Sequence, residues 1–184
     1  MRNCYAGIGS RETPPEVCAE FRTLAAALAT AEMCLRSGGA DGADTAFEEG
    51  CDAAMGRKAI FIPWSGFNGR WPDPTPDRTT VVGTATVEAF RLAATHHPSW
   101  DRLTSGARRL HARNGHQILG LNLDDPVAFV ICWTVEGRGK GGTGQALRIA
   151  KSRGIPIYDF GDPARRDAFY AQLETIRLFG PYAF

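Results

Sequence analysis

The sequence has no long apolar segment. No run approaches the roughly 18 apolar residues of a membrane-spanning helix, and the first residues, MRNCYAGIGS, lack the apolar core of a signal peptide. Internal repeats and low-complexity tracts are missing as well. These absences predict a cytoplasmic protein without a membrane partner, and the length of 184 residues suits a single domain.

Cysteine occurs only at widely spaced positions. The five cysteines are Cys4, Cys18, Cys34, Cys51 and Cys132. They include no CxxC pair, and no histidines stand at zinc-finger spacing, which argues against a disulfide scaffold and structural zinc. Four of them lie inside apolar runs, where cysteine usually acts as a small buried hydrophobe. We therefore expect reduced, buried thiols, and neither a metal site nor a cofactor.

An excess of charge of one sign is also lacking. Lysine and arginine number 21 and aspartate and glutamate 20, so the formal net charge is +1. Proteins that bind nucleic acid backbones usually carry a clear basic excess. Single-stranded DNA is therefore a possible but disfavoured partner. The basic run RRLHAR at 108–113 is the one cluster in its favour, and such a run is more often a solvated helix face.

Short apolar runs alternate with helical patterns along the chain. The runs cover 3–8, 33–36, 58–64, 127–133 and 155–160, and the helical patterns cover 14–33, 43–54, 85–95, 100–119, 143–152 and 164–178. Since parallel strands need a crossover, usually a helix, the alternation predicts an α/β fold. We expect one Rossmann-like three-layer sandwich over residues 1–184, with a mainly parallel sheet of about five strands and helices on both faces. It carries an extended loop at about 65–83 and a helical insertion at about 84–120.

Three of the predicted strands end in glycine-rich turns. The turns are GIGSR at 7–11, SGGADGAD at 37–44 and GRGKGGTGQ at 137–145. Such turns bring backbone N–H groups close to an anion, and the helix that follows adds unpaired N–H groups and a positive dipole end. Because the carboxyl ends of parallel strands share one edge, three turns there favour a phosphate-bearing ligand. The predicted ligand-binding residues are Gly7, Gly9, Ser10, Arg11, Ser37, Gly38, Gly39, Asp41, Gly142, Thr143, Gly144 and Gln145.

None of these turns is a standard nucleotide fingerprint. The GxxxxGK[ST] pattern is absent, since Lys140 precedes its glycine pair, and GxGxxG fails after Gly9. ATP hydrolysis and dinucleotide-dependent dehydrogenation are therefore disfavoured.

Acidic residues follow the second turn. Asp44 and Glu48 share one helical face at i, i+4 spacing and are candidate catalytic carboxylates if the protein cleaves a glycosidic bond. The alternative is that Asp41 caps the helix and the acids favour its positive first turn. Asp44 is also a candidate acceptor for a ribose hydroxyl.

Other polar and aromatic residues are candidate ligand contacts. Arg11 can grip a phosphate, although it can also be a surface arginine. An aromatic-rich segment after the third strand and the end of the 127–133 run can contact a base, or cover the edge of the core. The candidates for base or ribose contacts are Asp44, Trp64, Phe67, Asn68, Asn114, Trp133 and Thr134, and Gln117 is a further polar candidate.

The ordered set of GIGSR, SGGADGAD, GGTGQALRIA and GIPIY resembles the SLOG superfamily, which unites the DNA-processing protein DprA with the LOG phosphoribohydrolases. The resemblance extends over 4–160 and is strongest to small stand-alone DprA-like proteins often encoded by phages. It implies that Gly142, Thr143 and Gly144 form the phosphate-binding loop. By the same resemblance, Gly9, Ser10 and Arg11 form the first-strand loop, and 37–39 form the second-strand turn.

The resemblance leaves three functions open. LOG enzymes use a glutamate after a PGGxGTxxE motif, whereas here the GGTGQALR stretch has no proline before it and no acid after it. The first expectation is therefore a binding protein, a sponge or sensor for a nucleotide or ADP-ribose-like signal. The alternatives are a nucleotide N-glycosidase that acts through Glu48 or Asp44, and DprA-like handling of single-stranded DNA with a recombinase partner. Related proteins often form homodimers, which we expect here as well.

Overall fold

The structure is a computed structural model that describes residues 3–73, 79–83 and 85–180. Its strands are β1 (Cys4–Gly7), β2 (Cys34–Ser37), β3 (Lys58–Ile62), β4 (Thr79–Gly83), β5 (Val130–Cys132) and β6 (Ile157–Asp159). Its α-helices are α1 (Pro15–Thr30), α2 (Ala43–Ala53), α3 (Val87–Thr95), α4 (Ser105–Leu119), α5 (Gly141–Ser152) and α6 (Pro163–Phe179). Short 3₁₀ turns lie at Trp100–Arg102 and Val135–Gly137.

The six strands form one sheet in the order β4-β3-β2-β1-β5-β6, and every pair is parallel. The order reverses at β1, which has β2 on one side and β5 on the other, so a crevice opens between them at the carboxyl ends. The predicted α/β class and Rossmann-like architecture are thus confirmed.

The strand count was predicted one too low. The sixth strand is β4, Thr79–Gly83, which lies at the end of the segment expected to be a loop and pairs with β3 over its whole length. Its TTVVG run is short and lies beside a proline-rich tract, so the sequence pattern did not predict a strand there. Residues 74–78, from the middle of the expected loop, lie outside the described residues.

Each face of the sheet has its own core. Phe21 of α1, Phe47 of α2 and Phe169 of α6 are fully buried on one face, together with Tyr5 of β1. On the other face α4 and α5 cover the sheet with small and aliphatic side chains, as Ile118 and Ile149 illustrate. Apolar side chains on both faces explain why β5 reads as a continuous hydrophobic run rather than an alternating one.

Candidate ligand-binding cleft

A cleft of about 550 Å³ lies at the carboxyl ends of β1, β2 and β5, where the strand order reverses. Its walls come from the three glycine-rich turns and from one side of α4. The lining residues are Ile8, Gly9, Ser10, Arg11, Glu12, Ala40, Asp44, Ala107, Leu110, His111, Arg113, Asn114, Gln117, Thr134, Val135, Lys140, Gly141, Gly142, Thr143 and Ala146. A volume of this size suits a small organic ligand.

The helices that follow these turns begin without side-chain caps. Within the described residues, the N-cap positions Pro14 of α1, Gly42 of α2 and Lys140 of α5 make no capping hydrogen bond. In contrast, Thr86 and Thr104 cap α3 and α4 through their side chains. The uncapped starts therefore belong to the helices that follow β1, β2 and β5, and the start of α5 lines the cleft with its first N–H groups unpaired inside the helix.

Asp44 ties the first two turns together. One carboxylate oxygen accepts the N–H of Gly9 at 3.2 Å, and the other accepts the N–H of Ala40 at 3.3 Å. Arg113 lies 3.5 Å from the second oxygen. Burial raises the pKa of Asp44, and Arg113 and the two N–H groups oppose that rise. The carboxylate therefore orders both turns beside the cleft.

Two amides on α4 extend this network to the third turn. In the amide orientation that satisfies its neighbours, Gln117 accepts from the Gly38 N–H at 2.8 Å and from Arg113 at 3.3 Å, and donates to Asn114 at 2.8 Å. Asn114 in turn donates to the Gly142 carbonyl at 3.2 Å and to the Gln145 side chain at 2.9 Å. One face of α4 thus connects all three glycine turns through hydrogen bonds.

Arg113 lines the cleft with an unused donor. Its side chain is buried at 8% exposure, and its guanidinium lies 5.8 Å from the centre of the Phe67 ring. Although Nη1 faces Asp44, Nε has no hydrogen-bond partner among the described residues. A buried charged donor without an acceptor is rare in folded proteins, and an anionic ligand is one group that can supply the acceptor.

Charged side chains stand at the rim of the cleft. Arg11 and Lys140 are exposed cations, and Glu12 is an exposed anion next to Arg11. Ser10 accepts the Glu12 N–H at 3.1 Å through its hydroxyl oxygen, which shapes the first turn. The rim is therefore positive by one charge when Asp44 and Arg113 are counted as a pair.

Part of the wall is apolar. Ile8, Leu110 and Val135 line it beside the imidazole of His111. Burial, His97 and Arg148 lower the pKa of His111 to about 4, so the ring is neutral at neutral pH. A neutral imidazole among aliphatic side chains offers a surface on which a flat ring can pack.

Some of the predicted ligand contacts line the cleft, and others lie behind it. Gly9, Ser10, Arg11, Asp44, Asn114, Thr134, Gly142 and Thr143 line it. Gly7, Ser37, Gly38, Gly144 and Gln145 are buried behind it. Gly7 is needed because a Cβ there would lie 2.5 Å from Phe47, and Ser37 donates to the Gly7 carbonyl at 2.7 Å. The structure gives the buried residues a packing role.

Thr134 positions the third turn from below. Its backbone N–H donates to Asp159 at 2.9 Å, and its hydroxyl oxygen accepts the N–H of Gly139, also at 2.9 Å. Asp159 is fully buried at the end of β6 and was not among the residues that the sequence suggested.

Glu48, a candidate catalytic residue, does not line the cleft. Its carboxylate is 8% exposed and pairs with Arg70 at 3.0 Å and with Lys58 at 3.5 Å. The i, i+4 spacing placed it on the same helix face as Asp44, but one further turn along α2 moves it from the sheet edge toward β3. Burial raises the pKa of Glu48, against the pull of both cations.

Part of the second turn, at Gly39 and Asp41, contacts the segment after β3. Asn68 and Arg70 both donate to the Gly39 carbonyl, each at 3.0 Å, and Asn68 also donates to Asp41 at 3.3 Å. Trp64 packs edge-on against Phe67, with ring centres 5.3 Å apart. These residues cover the edge of the sheet, which was the alternative to base stacking.

Trp133 is half-buried and packs against the core formed with α1, α2 and α6. It does not line the cleft, unlike Thr134 beside it. The two residues directly follow the end of β5, and only Thr134 reaches the site.

Sequence reasoning missed several cleft residues, including Arg113, His111, Glu12 and Lys140. The sequence signal for Arg113 was the run RNGHQ at 113–117, in which every polar residue is buried. Buried polar residues in mid-helix need partners, which indicates a site.

No group of three or more histidine, cysteine or acidic side chains that could hold a metal occurs in the described part of the chain. Among the same residues, no helix has the length and apolar character needed to cross a membrane.

Several solved structures resemble this chain. The molybdenum cofactor (Moco) carrier protein of Chlamydomonas reinhardtii has a TM-score of 0.52 at 13% identity, over 95% of this chain and 85% of that one. DprA from Streptococcus pneumoniae has a TM-score of 0.53 at 14% identity, over 94% of this chain and 56% of DprA. The chain thus spans little more than half of DprA.

No protein-family model matches the chain, and no curated protein sequence matches it either. At 13% and 14% identity, the structural likeness speaks for the fold. The chain therefore shares its Rossmann-like fold with DprA and the Moco carrier protein.

Proposed function

We propose that this protein binds a nucleotide or nucleotide-derived ligand, ADP-ribose-like or cyclic, in the cleft and holds it without cleaving it. The observation that carries the proposal is Arg113, a buried cation of 8% exposure that lines the cleft and whose Nε has no partner among the described residues. An unsatisfied buried donor of this kind costs about 1–3 kcal/mol. A ligand phosphate in the cleft would place a negative charge beside this guanidinium and offset part of that cost.

The mouth of the cleft supports a phosphate as the anionic part. Gly141, Gly142 and Thr143 begin α5 at this point, and their N–H groups have no partner inside the helix. Arg11 and Lys140 stand on the same rim. A phosphate here would receive backbone hydrogen bonds and two flanking cations.

The apolar part of the wall supports a base or a sugar beside the phosphate. Leu110, Val135 and neutral His111 form a surface against which a planar ring can lie. Asn114 and Thr134 stand between this surface and the third turn as candidate hydrogen-bond partners. A nucleotide combines these features in one molecule.

The placement of the carboxylates supports holding rather than cleaving. Glu48 is engaged by Arg70 and Lys58 outside the cleft, and Asp44 already accepts the N–H groups of Gly9 and Ala40. One structural neighbour is named as a carrier, a mode of action that fits a protein that stores or senses a ligand. A sponge or a sensor is the role that we propose.

A nucleotide N-glycosidase is the second candidate, because Asp44 lines the cleft and burial raises its pKa toward that of a general acid. DprA-like binding of single-stranded DNA is the third candidate, and the net charge of +1 disfavours it. A homodimer also stays a prediction, which light scattering of the purified protein would test.

The experiment that tests the proposal has two parts. First, the purified protein is denatured, and any released small molecule is identified by mass spectrometry. Second, the protein is incubated with AMP, ADP, ADP-ribose and cyclic AMP, and the mixtures are analysed by chromatography. We expect a phosphate-bearing ligand that is recovered intact. Release of free base that Asp44→Asn abolishes would show that the protein is a glycosidase and not a binding protein. A salt-dependent gel shift of single-stranded DNA would favour the third candidate.

A further inference from the structure

Two half-buried cysteines lie side by side at the end of the sheet opposite the cleft. Cys4 opens β1 and Cys34 opens β2, and the two are partners in the parallel register of these strands. Both thiols are free, and both are half-buried. The other three cysteines, Cys18, Cys51 and Cys132, are buried as the sequence predicted, at 9%, 1% and 0% exposure. The paired cysteines therefore differ from the rest in exposure and in having a sulfur neighbour.

The surroundings give the two thiols different tasks. The neighbouring Cys34 thiol and the Arg36 guanidinium lower the pKa of Cys4 to about 6, against the effects of burial and of Asp125. The neighbouring Cys4 thiol and burial raise the pKa of Cys34. Cys4 is therefore the more acidic of the two thiols and the one that forms the nucleophilic thiolate more readily, whereas Cys34 keeps its proton. Burial instead raises the pKa of Cys51 to about 11, so this thiol stays unreactive.

We propose that Cys4 and Cys34 form an oxidation site at which a hydroperoxide converts the two thiols into a cross-strand disulfide. The Cys4 thiolate attacks the peroxide, the O–O bond breaks, and a sulfenic acid forms with release of one water or alcohol. The Cys34 sulfur then attacks the sulfenic sulfur, and its proton leaves with the hydroxyl group as water. The two sulfurs lose two electrons, and the peroxide gains them.

The position of Cys4 directly opposite Cys34 favours a disulfide between them and also makes that disulfide easy to reduce. Neighbouring strands are roughly 4.8 Å apart, which lies within the roughly 4.4–6.8 Å that disulfides span between Cα atoms. Side chains of directly opposed residues stand parallel, however, and must lean together for the sulfurs to bond. Exposed or strained disulfides are the more easily reduced ones, so we expect this one to reopen with dithiothreitol.

The experiment is mass spectrometry of the folded protein after treatment with a few equivalents of hydrogen peroxide. We expect the loss of two hydrogen atoms and, in a nonreducing tryptic digest, the peptides NCYAGIGSR (3–11) and TLAAALATAEMCLR (23–36) joined by one bond. In Cys34→Ala the disulfide cannot form, so peptide 3–11 instead gains one oxygen that dimedone traps. Cys18→Ala is the matched control and behaves as the parent protein. Oxidation spread equally over the buried cysteines, or an unjoined and unmodified peptide 3–11 in both forms, would overturn the proposal.

Discussion

The guanidinium of Arg113 occupies the space that a side chain at position 38 would fill, since a Cβ built on Gly38 would lie 1.1 Å from Arg113 Nη1. The glycine of the second turn is thus required by an arginine on α4, 75 residues later in the chain. This contact fixes Arg113 between Asp44 and Gln117 in the wall of the cleft.

Gly38→Ala should therefore displace Arg113 and break its buried contact with Asp44. Loss of a buried charge partner predicts a fall of about 2–4 kcal/mol in the free energy of unfolding. Urea unfolding followed by circular dichroism measures it. Gly106→Ala is the matched control, since its Cβ meets nothing within 4 Å. Equal stabilities for the two variants would show that Arg113 has room to move.

Gly142→Ala tests whether the start of α5 binds the ligand's phosphate, and this substitution should not disturb the fold. A Cβ at Gly142 meets nothing within 4 Å, so the variant should be as stable as the parent or slightly more stable, as expected for alanine in a helix. The added methyl group stands at the mouth of the cleft and should weaken a phosphate-bearing ligand at least tenfold in calorimetric titration. Gly106→Ala, in the first turn of α4, should leave the affinity unchanged.

Substitution of Glu48 should affect stability alone, whereas substitution of Asp44 should also weaken ligand binding. Glu48→Gln leaves Arg70 and Lys58 without their shared carboxylate, which predicts a loss of about 1–3 kcal/mol of stability and an affinity within twofold of the parent. Asp44→Asn replaces the carboxylate that accepts the Gly9 and Ala40 N–H groups and should weaken binding severalfold. A Glu48→Gln protein that folds normally but loses the ligand would contradict this assignment.

Acid should destabilise the protein through His111. Its pKa in the folded protein is about 4, below the ordinary value of 6.5, so the unfolded chain takes up a proton first as the pH falls. The stability contributed by neutral His111 is present above about pH 6.5 and is lost toward pH 4. Between pH 7 and pH 5, His111→Gln should lose about 1 kcal/mol less than the parent, a value reduced for partial exposure. Parallel urea titrations at both pH values compare the two proteins, and equal losses would remove His111 as the cause.

The sequence predicted the layers of the fold because each of its signals is local. Alternating apolar runs and glycine at the strand ends identified β1, β2, β3, β5 and β6 and the edge of the sheet that holds the cleft. The strand β4 was not predicted because TTVVG is short and follows a proline-rich tract. Its pairing with β3, rather than its own sequence pattern, stabilises it as a strand.

The glycine turns were also predicted, but which of their residues face the cleft was not. Gly38 was predicted to contact a phosphate, yet the structure requires glycine there because Arg113 occupies the space that a side chain would fill. The spacing predicted a catalytic role for Glu48, yet its carboxylate forms an ion pair with Arg70, which comes from a segment predicted to be a loop. Such roles depend on contacts between residues far apart in the chain, which spacing along the sequence does not encode.

The central claim is that the cleft recognises the phosphate of a nucleotide-type ligand. Calorimetric titration with AMP, ADP, ADP-ribose and cyclic AMP, each compared with adenosine, tests it most directly. We predict that at least one phosphate-bearing compound binds with a stoichiometry of one per chain and at least tenfold more tightly than adenosine, and that Gly142→Ala removes most of this difference. Adenosine binding as tightly as every phosphorylated compound, or no binding by any of them, would contradict the claim.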